Sequence, residues 1–135
     1  MAKMIICVVD DDFVFRTTSK RMLQKLRHSD DVLMFEDGEK AFEFIEKHQN
    51  EKDVLPDVIF LDLNMPYMDG WDFLDEYMAL KPAKKITIYV VSSSILDSDR
   101  DRAKTYSEVS DYLIKPVEKE QFVQILENLA ANLDQ

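Results

Sequence analysis

Glycine and cysteine are both scarce in this chain. Only Gly38 and Gly70 occur among 135 residues, so no Gly-x-Gly-x-x-Gly turn can form and a dinucleotide-binding domain is disfavoured. Cys7 is the single cysteine, and one thiol cannot make an internal disulfide, which fits a reducing compartment. Because Cys7 lies in an apolar run, we interpret it as a buried packing residue.

Positive charge and long apolar runs are also lacking. The 17 Lys and Arg residues are outnumbered by 27 Asp and Glu, which gives a formal net charge of −10. Nucleic-acid binding depends on Lys and Arg that release phosphate counterions, so we expect no direct contact with nucleic acid. No run approaches the length of a membrane span or the apolar core of a signal peptide. The sequence predicts a cytoplasmic protein without membrane contact, folded as one domain over residues 1–135.

The most informative stretch covers residues 58–70. Its first four residues, 58–61, are apolar and predict a strand buried on both faces of a parallel sheet. Asp62 follows at the C-terminal end of that strand, where open α/β sheets place ligands and chemistry. Pro66 lacks the amide proton that a central strand needs, and we expect Gly70 to supply a positive φ. The chain should therefore turn sharply just past Asp62.

Apolar patterning divides the rest of the chain into five strand–helix units. Buried strands are predicted at residues 4–9, 32–35, 58–61, 86–91 and 111–114, and helices at residues 15–26, 41–48, 71–80, 97–106 and 118–133. Strict alternation of this kind predicts an α/β fold with a mostly parallel sheet and helices on both faces. Asp12 is placed to cap the first helix. The fourth helix has a thin apolar stripe, so we expect it to be the most weakly packed.

Polar side chains follow four of the predicted strands. Since the C-terminal ends of parallel strands share one edge, that edge should collect Asp10, Asp11, Asp12, Asp62, Ser92 and Lys115. Each alone has a simpler explanation: Asp12 as a helix cap, Ser92 as a turn residue, Lys115 as a surface lysine beside a proline. Taken together, these simpler explanations are weaker, because four strands place polar groups at the same end while the strand interiors are almost entirely apolar.

This arrangement of charges predicts a cation site with phosphoryl chemistry. Two carboxylates 4 Å apart repel by about 4 kcal/mol at an effective dielectric constant near 20, so a cation must offset them. Mg²⁺ prefers a few carboxylates, waters and phosphate oxygens, and Lys115 adds a further positive charge. Phosphoryl transfer needs mainly positioning and charge neutralisation, and Asp62 would be the nucleophile.

These motifs together resemble the receiver domain of bacterial two-component response regulators, in particular single-domain chemotaxis receivers. The motifs are Val-Val-Asp-Asp at residues 8–11, Asp-Leu-Asn-Met-Pro-Tyr-Met-Asp-Gly from Asp62, Ser92 after an apolar strand, and Tyr-Leu-Ile-Lys-Pro from Tyr112. The resemblance covers essentially the whole chain. It implies a flavodoxin-like, doubly wound sheet of five parallel strands in the order 2-1-3-4-5, with five helices.

The resemblance also implies a role for each site residue. Asp62 accepts a phosphoryl group from a histidine kinase or a histidine phosphotransfer protein. Mg²⁺ binds Asp11, Asp62 and the backbone carbonyl of Asn64, with Asp10 contributing through water. Counting back from Arg16 makes Asp10 and Asp11 the acidic pair of the family. Because three aspartates are consecutive, the pair could also be shifted by one residue.

Lys115, Ser92 and Tyr112 complete the implied switch. Lys115 pairs with the phosphoryl group, and its bond to Pro116 is expected to be cis. Ser92 moves to hydrogen-bond the new phosphate and Tyr112 swings inward behind it. The face formed by the fourth helix, fifth strand and fifth helix then changes its affinity for a downstream protein, with the chain a monomer or a weak dimer through that face. One departure is a segment, residues 106–111, that is about one residue longer than usual and lacks glycine.

Two other functions compete with this interpretation. Asp10-Asp11-Asp12 superficially matches the Asp-x-Asp motif of haloacid-dehalogenase-type phosphatases, but Phe13-Val14 stands where that family has Gly-Thr. A pure interaction module of the same fold would have lost pocket residues, and none is missing. We therefore expect a switch rather than an enzyme, one that at most catalyses its own phosphorylation and dephosphorylation.

Overall fold

The computed structural model describes residues 3–133 of the chain, with side chains up to residue 132. The strands are β1 (Met4–Val9), β2 (Ser29–Phe35), β3 (Val58–Asp62), β4 (Thr87–Ser92) and β5 (Val109–Ile114). The helices are α1 (Phe13–Leu23), α2 (Gly38–Lys47), α3 (Gly70–Met78), α4 (Asp97–Ala103) and α5 (Lys119–Leu133). All neighbouring strands are parallel, in the order β2-β1-β3-β4-β5. The predicted α/β fold is confirmed, while the predicted span of residues 1–135 extends past the described residues at both ends.

The helices cover both faces of the sheet and create two apolar cores. On one face, side chains of β1, β3 and β4 pack with α2 and α3 and with Ala103 of α4. On the other face, alternate residues of β1 and β3 pack with Leu23 of α1 and with Phe122 and Leu126 of α5. The central strand β3 is buried along its whole length. A strand packed on both faces accepts few polar residues, so Asp62 marks the point where this packing ends.

Helix capping explains where three of the helices begin. The Asp12 carboxylate accepts hydrogen bonds from the backbone amides of Val14 and Phe15, so the predicted cap is confirmed. Asp37 caps α2 in the same way. Asp69 and Asp72 form a reciprocal capping box at the start of α3. These caps satisfy amide groups that have no partner within their helices, and all lie at the C-terminal edge of the sheet.

Several element boundaries differ from the sequence-based prediction. Strand β2 begins three residues earlier than predicted, through polar residues that an edge strand can expose to solvent. Strand β5 begins two residues earlier, through Val109 and Ser110. Helix α4 ends at Ala103 rather than at Tyr106, and α1 ends at Leu23 rather than at Leu26. Within residues 3–133, no helix combines the length and apolar character that crossing a membrane requires.

A β-bulge within β5 accommodates the extra residue of the segment 106–111. Ile88 of β4 pairs with Val109, but the next residue, Tyr89, pairs with Asp111. Ser110 is therefore the additional residue, and two residues of β5 oppose one of β4. The longer segment at residues 106–111 is accommodated inside the strand, and the register is restored before the strand reaches the site.

Candidate functional site

A tight turn after β3 positions Asp62. The amide of Gly70 donates a 3.0 Å hydrogen bond to the carbonyl of Leu63, which brings the start of α3 against the end of the strand. A Cβ atom at Gly70 would lie 2.5 Å from the carbonyl oxygen of Asp62 and 2.8 Å from the Cα of Leu63. Gly70 is thus required for close approach, not for backbone freedom. Neither glycine has a positive φ, so the expectation that Gly70 supplies one is wrong.

The positive φ in this turn belongs to Tyr67, at 66°. It is the one residue other than glycine with a positive φ among residues 3–133. Left-handed backbone costs an L-amino acid about 1–2 kcal/mol because Cβ crowds the following carbonyl. The turn is therefore closed by a strained tyrosine, which turn propensities did not indicate.

Three carboxylates come together at the C-terminal edge of the sheet. Asp10, Asp11 and Asp62 each place a carboxylate oxygen within 4.8 Å of the others. Asp10 and Asp62 are buried, while Asp11 is exposed. The carboxylate of Asp12 instead caps α1. In this arrangement Asp10 and Asp11, rather than Asp12, lie beside Asp62, which does not support a phosphatase that uses Asp10 and Asp12 together.

Lys115 places its ammonium group among these acids. Its Nζ lies 2.8 Å from Oδ2 of Asp10 and 3.7 Å from Oδ1 of Asp62, and 4.7 Å from the ring centroid of Phe15. Burial lowers the pKa of Lys115, but the hydrogen bond to Asp10 and the charge of Asp62 raise it more, so the net pKa is above its ordinary value. The bond between Lys115 and Pro116 is cis, as expected.

The surroundings of Asp62 disfavour the ionised form of its carboxyl group. Burial is the largest cause, followed by the negative charge of Asp10, and together they raise the pKa of Asp62 to about 7. The charge of Lys115 and a hydrogen bond from the backbone amide of Asn64 act in the opposite direction without prevailing. A divalent cation would remove this conflict, because oxygen ligands close together are what Mg²⁺ binds. The three carboxylates therefore form a donor set that fits a hard cation. The exposed Asn64 lies beside this set, since its backbone amide contacts Asp62.

A hydrogen-bond network connects Ser92 to α4 and β5. The fully buried Ser92 hydroxyl accepts from the amide of Ser94 at 3.1 Å. The Ser94 hydroxyl donates to Asp99 of α4 at 2.6 Å, and the Ser94 carbonyl accepts from the hydroxyl of Tyr112 at 2.9 Å. The Tyr112 ring is buried, so it occupies an inward position in this structure. The carbonyl of Ser92 also accepts from the amide of Lys115 at 2.9 Å.

Stacked side chains join α3 to α4. The Arg102 guanidinium lies 4.3 Å from the ring centroid of Trp71, and the Tyr106 ring stacks on Trp71 at 6.1 Å with 23° between the planes. The Tyr106 hydroxyl also donates to Asp75 at 2.6 Å. Because Trp71 directly follows Gly70, these contacts connect the turn after β3 to the weakly packed α4, of which only Ala103 is buried.

Sequence reasoning missed two supporting residues. Nη1 of Arg16 donates a 2.8 Å hydrogen bond to the carbonyl of Asp10, and the Phe15 ring lies beside Lys115. Their position in the first turn of a helix that begins at the acidic edge could have indicated that both residues lie near the site. Helical periodicity can place Phe15 on an apolar face, but it does not indicate which residues that face contacts at the end of the helix.

The fold and this site define a class: a flavodoxin-like α/β domain with an acidic, lysine-containing site at the C-terminal edge of its sheet. A model of the response regulator receiver domain matches residues 6–127. The chain therefore belongs to the response regulator receiver domain family of two-component signalling.

Individual relatives agree with this assignment. The chain is 28% identical over 128 residues to the chemotaxis protein CheY of Listeria monocytogenes, covering 93% of this chain and 97% of that protein. It covers only 48% of an uncharacterised response regulatory protein of Staphylococcus epidermidis, to which it is 31% identical. Relatives thus include proteins of this length and longer ones.

Solved structures share the fold. A two-component response regulator from Cytophaga hutchinsonii superimposes with a TM-score of 0.84 at 21% identity, covering 96% of this chain and 98% of that one. The phosphorylated cyanobacterial phytochrome response regulator RcpA superimposes with a TM-score of 0.76 at 27% identity, covering 95% of this chain and 91% of that one.

Proposed function

We propose that this receiver domain is a phosphorylation switch and that Asp62 is its phosphoryl acceptor. A carboxylate oxygen of Asp62 attacks the phosphorus of a phosphohistidine, the phosphorus–nitrogen bond breaks, and the histidine nitrogen leaves with the bonding electron pair. The donor is a histidine kinase or a histidine phosphotransfer protein. Support comes from membership of the receiver family and from the similarity to RcpA, a response regulator whose structure is that of the phosphorylated protein.

Mg²⁺ is the proposed cofactor. Asp11, Asp62 and the backbone carbonyl of Asn64 would hold it, with Asp10 contributing through water. When bound, the ion supplies positive charge that offsets the acceptor carboxylate and the phosphoryl oxygens. The fit rests on the three carboxylates within 4.8 Å of one another and on the raised pKa of Asp62, which is caused by burial and by the negative charge of Asp10.

The remaining pocket residues position and stabilise the phosphoryl group. Lys115 approaches Asp62 to 3.7 Å, close enough for its ammonium group to pair with a phosphoryl oxygen on that carboxylate. The Ser92 hydroxyl donates to another phosphoryl oxygen once it turns from the amide of Ser94 toward Asp62. That motion pulls on the Ser94 contacts with α4 and Tyr112. We propose that phosphorylation stabilises the inward position of Tyr112, which shifts the population of two arrangements of the α4–β5–α5 face.

The proposed output is protein binding rather than catalysis on a separate substrate. The α4–β5–α5 face would change its affinity for a downstream protein, or for a second copy in a weak dimer. The net charge of −10 disfavours direct nucleic-acid binding. We propose a cytoplasmic location, where histidine kinases present their phosphoryl groups.

One observation carries this proposal: the carboxylates of Asp10, Asp11 and Asp62 lie together, and the ammonium group of Lys115 lies beside those of Asp10 and Asp62. The test is incubation with acetyl phosphate and Mg²⁺, followed by intact mass measurement. We expect one phosphoryl adduct on the wild type, none on Asp62→Asn, and strong reduction when EDTA replaces Mg²⁺. An adduct of equal yield on Asp62→Asn would contradict the site. Loss of labelling in Asp10→Asn but not in Asp62→Asn would favour the phosphatase alternative.

A further inference from the structure

The first turn of α1 places one aromatic ring against the lysine of the site. The ring centroid of Phe15 lies 4.7 Å from Nζ of Lys115, within the distance of about 6 Å at which the face of a ring attracts a cation. The Lys115 side chain is only 19% exposed, and this attraction becomes stronger as water is excluded from the cation. The contact is therefore an electrostatic one as well as a packing contact.

Two hydrogen bonds fix the backbone of Phe15 relative to the site. Its amide donates to the Asp12 carboxylate at 3.2 Å, and the next residue, Arg16, donates from Nη1 to the carbonyl of Asp10 at 2.8 Å. The Phe15 ring also packs against the apolar core that α1 and α5 form on one face of the sheet. The ring is thus held in place by the same helical turn that is anchored to the residue following β1.

The ring and the acids respond differently to added positive charge. Asp10 and Asp62 attract the ammonium group of Lys115 from 2.8 Å and 3.7 Å. A divalent cation bound at these carboxylates offsets the same negative charge, so their attraction for Lys115 weakens. A neutral ring keeps its attraction because it is not a ligand of the cation. Since the lysine side chain is a flexible four-carbon stem, the ring then keeps its ammonium group at the site.

We propose that Phe15 is a positioning residue for phosphoryl transfer: its ring holds the ammonium group of Lys115 beside Asp62 while that carboxylate reacts. The proposal rests on the function of Asp62 and Lys115 given above and assigns a further residue to the same site. Phe15 acts through Lys115. Leu or Met would fill the same place on the apolar face of α1 with higher helix propensity, so the fold alone does not account for an aromatic ring.

The test changes the electronic character of the ring while nearly conserving its size. Phenylalanine analogues with one, two or three fluorine atoms on the ring are incorporated at position 15 alone, which weakens the negative face of the ring stepwise. We expect the rate at which acetyl phosphate and Mg²⁺ label Asp62 to fall with each fluorine, to roughly one-fifth with three. Phe15→Leu should show a similar loss. The matched control is Phe13→Leu, at a 69% exposed position of the same helix, which should be labelled as fast as the wild type.

Two further measurements detect the contact without phosphoryl transfer. In NMR spectra recorded without Mg²⁺, the ring current of Phe15 should shift the Cε protons of Lys115 upfield, and Phe15→Leu should remove that shift. In urea denaturation, three fluorine atoms on Phe15 should raise the unfolding equilibrium constant roughly fivefold in the wild type. The same change should have less than a twofold effect in Lys115→Gln, because this double-mutant cycle isolates the contact between ring and ammonium group.

The outcomes separate this proposal from the proposed function. Labelling that slows with each fluorine, together with a stability effect that depends on Lys115, supports the role of Phe15. A labelling rate unchanged by fluorination overturns it, as does a stability effect that is equal with and without Lys115, and both results leave Asp62 as the acceptor. Failure of acetyl phosphate to label the wild type on Asp62 overturns the proposed function, and the role of Phe15 in transfer with it.

Discussion

Replacing Asp62 by Asn should make the folded protein more stable above neutral pH. The carboxyl is buried next to Asp10, and its pKa is raised from 3.8 to about 7. An acid with a raised pKa binds more protons in the folded state than in the unfolded state between these two values. Its contribution to the free energy of unfolding is therefore lost as pH rises from about 4 to about 7. Asparagine keeps the shape of the side chain but removes this titration.

The size of the effect follows from that pKa. Each unit of difference between the folded and the unfolded pKa corresponds to about 1.4 kcal/mol in the free energy of unfolding. The upper limit of the effect is therefore about 4 kcal/mol. Solvent and counterions reach the open side of the site and screen the repulsion. We therefore expect Asp62→Asn to add about 2 kcal/mol to the free energy of unfolding at pH 8, and close to nothing at pH 4.

Urea denaturation in EDTA between pH 4 and pH 8 measures this difference. Adding Mg²⁺ at pH 8 should stabilise the wild type more than the variant, because the cation stabilises only the folded state that binds it. Asp111→Asn, at an exposed position of β5, is a suitable control for the loss of one acidic charge. A gain in stability that is equal at pH 4 and pH 8, or a loss at pH 8, would refute the electrostatic argument.

Three further substitutions test the local structure. Gly70→Ala should cost about 2–3 kcal/mol through overpacking against the Asp62 carbonyl, and should slow acetyl phosphate labelling, with thermal melts and intact mass as the readouts. Asp12→Ala should lower the free energy of unfolding by about 1 kcal/mol through the lost cap but leave labelling intact. Lys115→Gln should cost about 3 kcal/mol, since it leaves the buried Asp10 without its cation; equal stability to the wild type in urea would contradict the ion pair.

The central part of the fold could be predicted from the sequence because burial dictates it. Strands packed on both faces, such as β1 and β3, are continuous apolar runs typical of a parallel sheet. The acids that end these runs could be assigned to one edge because parallel strands share direction. From that topology alone, Asp10 and Asp62 could be expected near Lys115, and the distances of 2.8 Å and 3.7 Å from its Nζ agree.

Edge strands and backbone strain could not be predicted in the same way. Strands β2 and β5 have one neighbour each, so they tolerate polar residues: β2 begins with Ser-Asp-Asp, and Ser110 and Asp111 follow the first residue of β5. Their hydrophobic pattern is therefore incomplete. Ser110 occupies a bulge whose position depends on pairing with β4, which local sequence does not encode. Turn propensity assigned the positive φ after β3 to Gly70. In the structure Gly70 instead packs closely against the backbone of Asp62, and Tyr67 has the positive φ.

The stacking of Arg102 and Tyr106 on Trp71 has a practical consequence. Trp71 is the single tryptophan of the chain, so all indole emission originates at the junction of α3 and α4. The protein carries a built-in optical reporter at this junction. A rearrangement of α4 that separates the guanidinium from the indole changes the surroundings of that one fluorophore, and unlabelled protein can then be followed in real time as phosphoryl donors or partners are titrated.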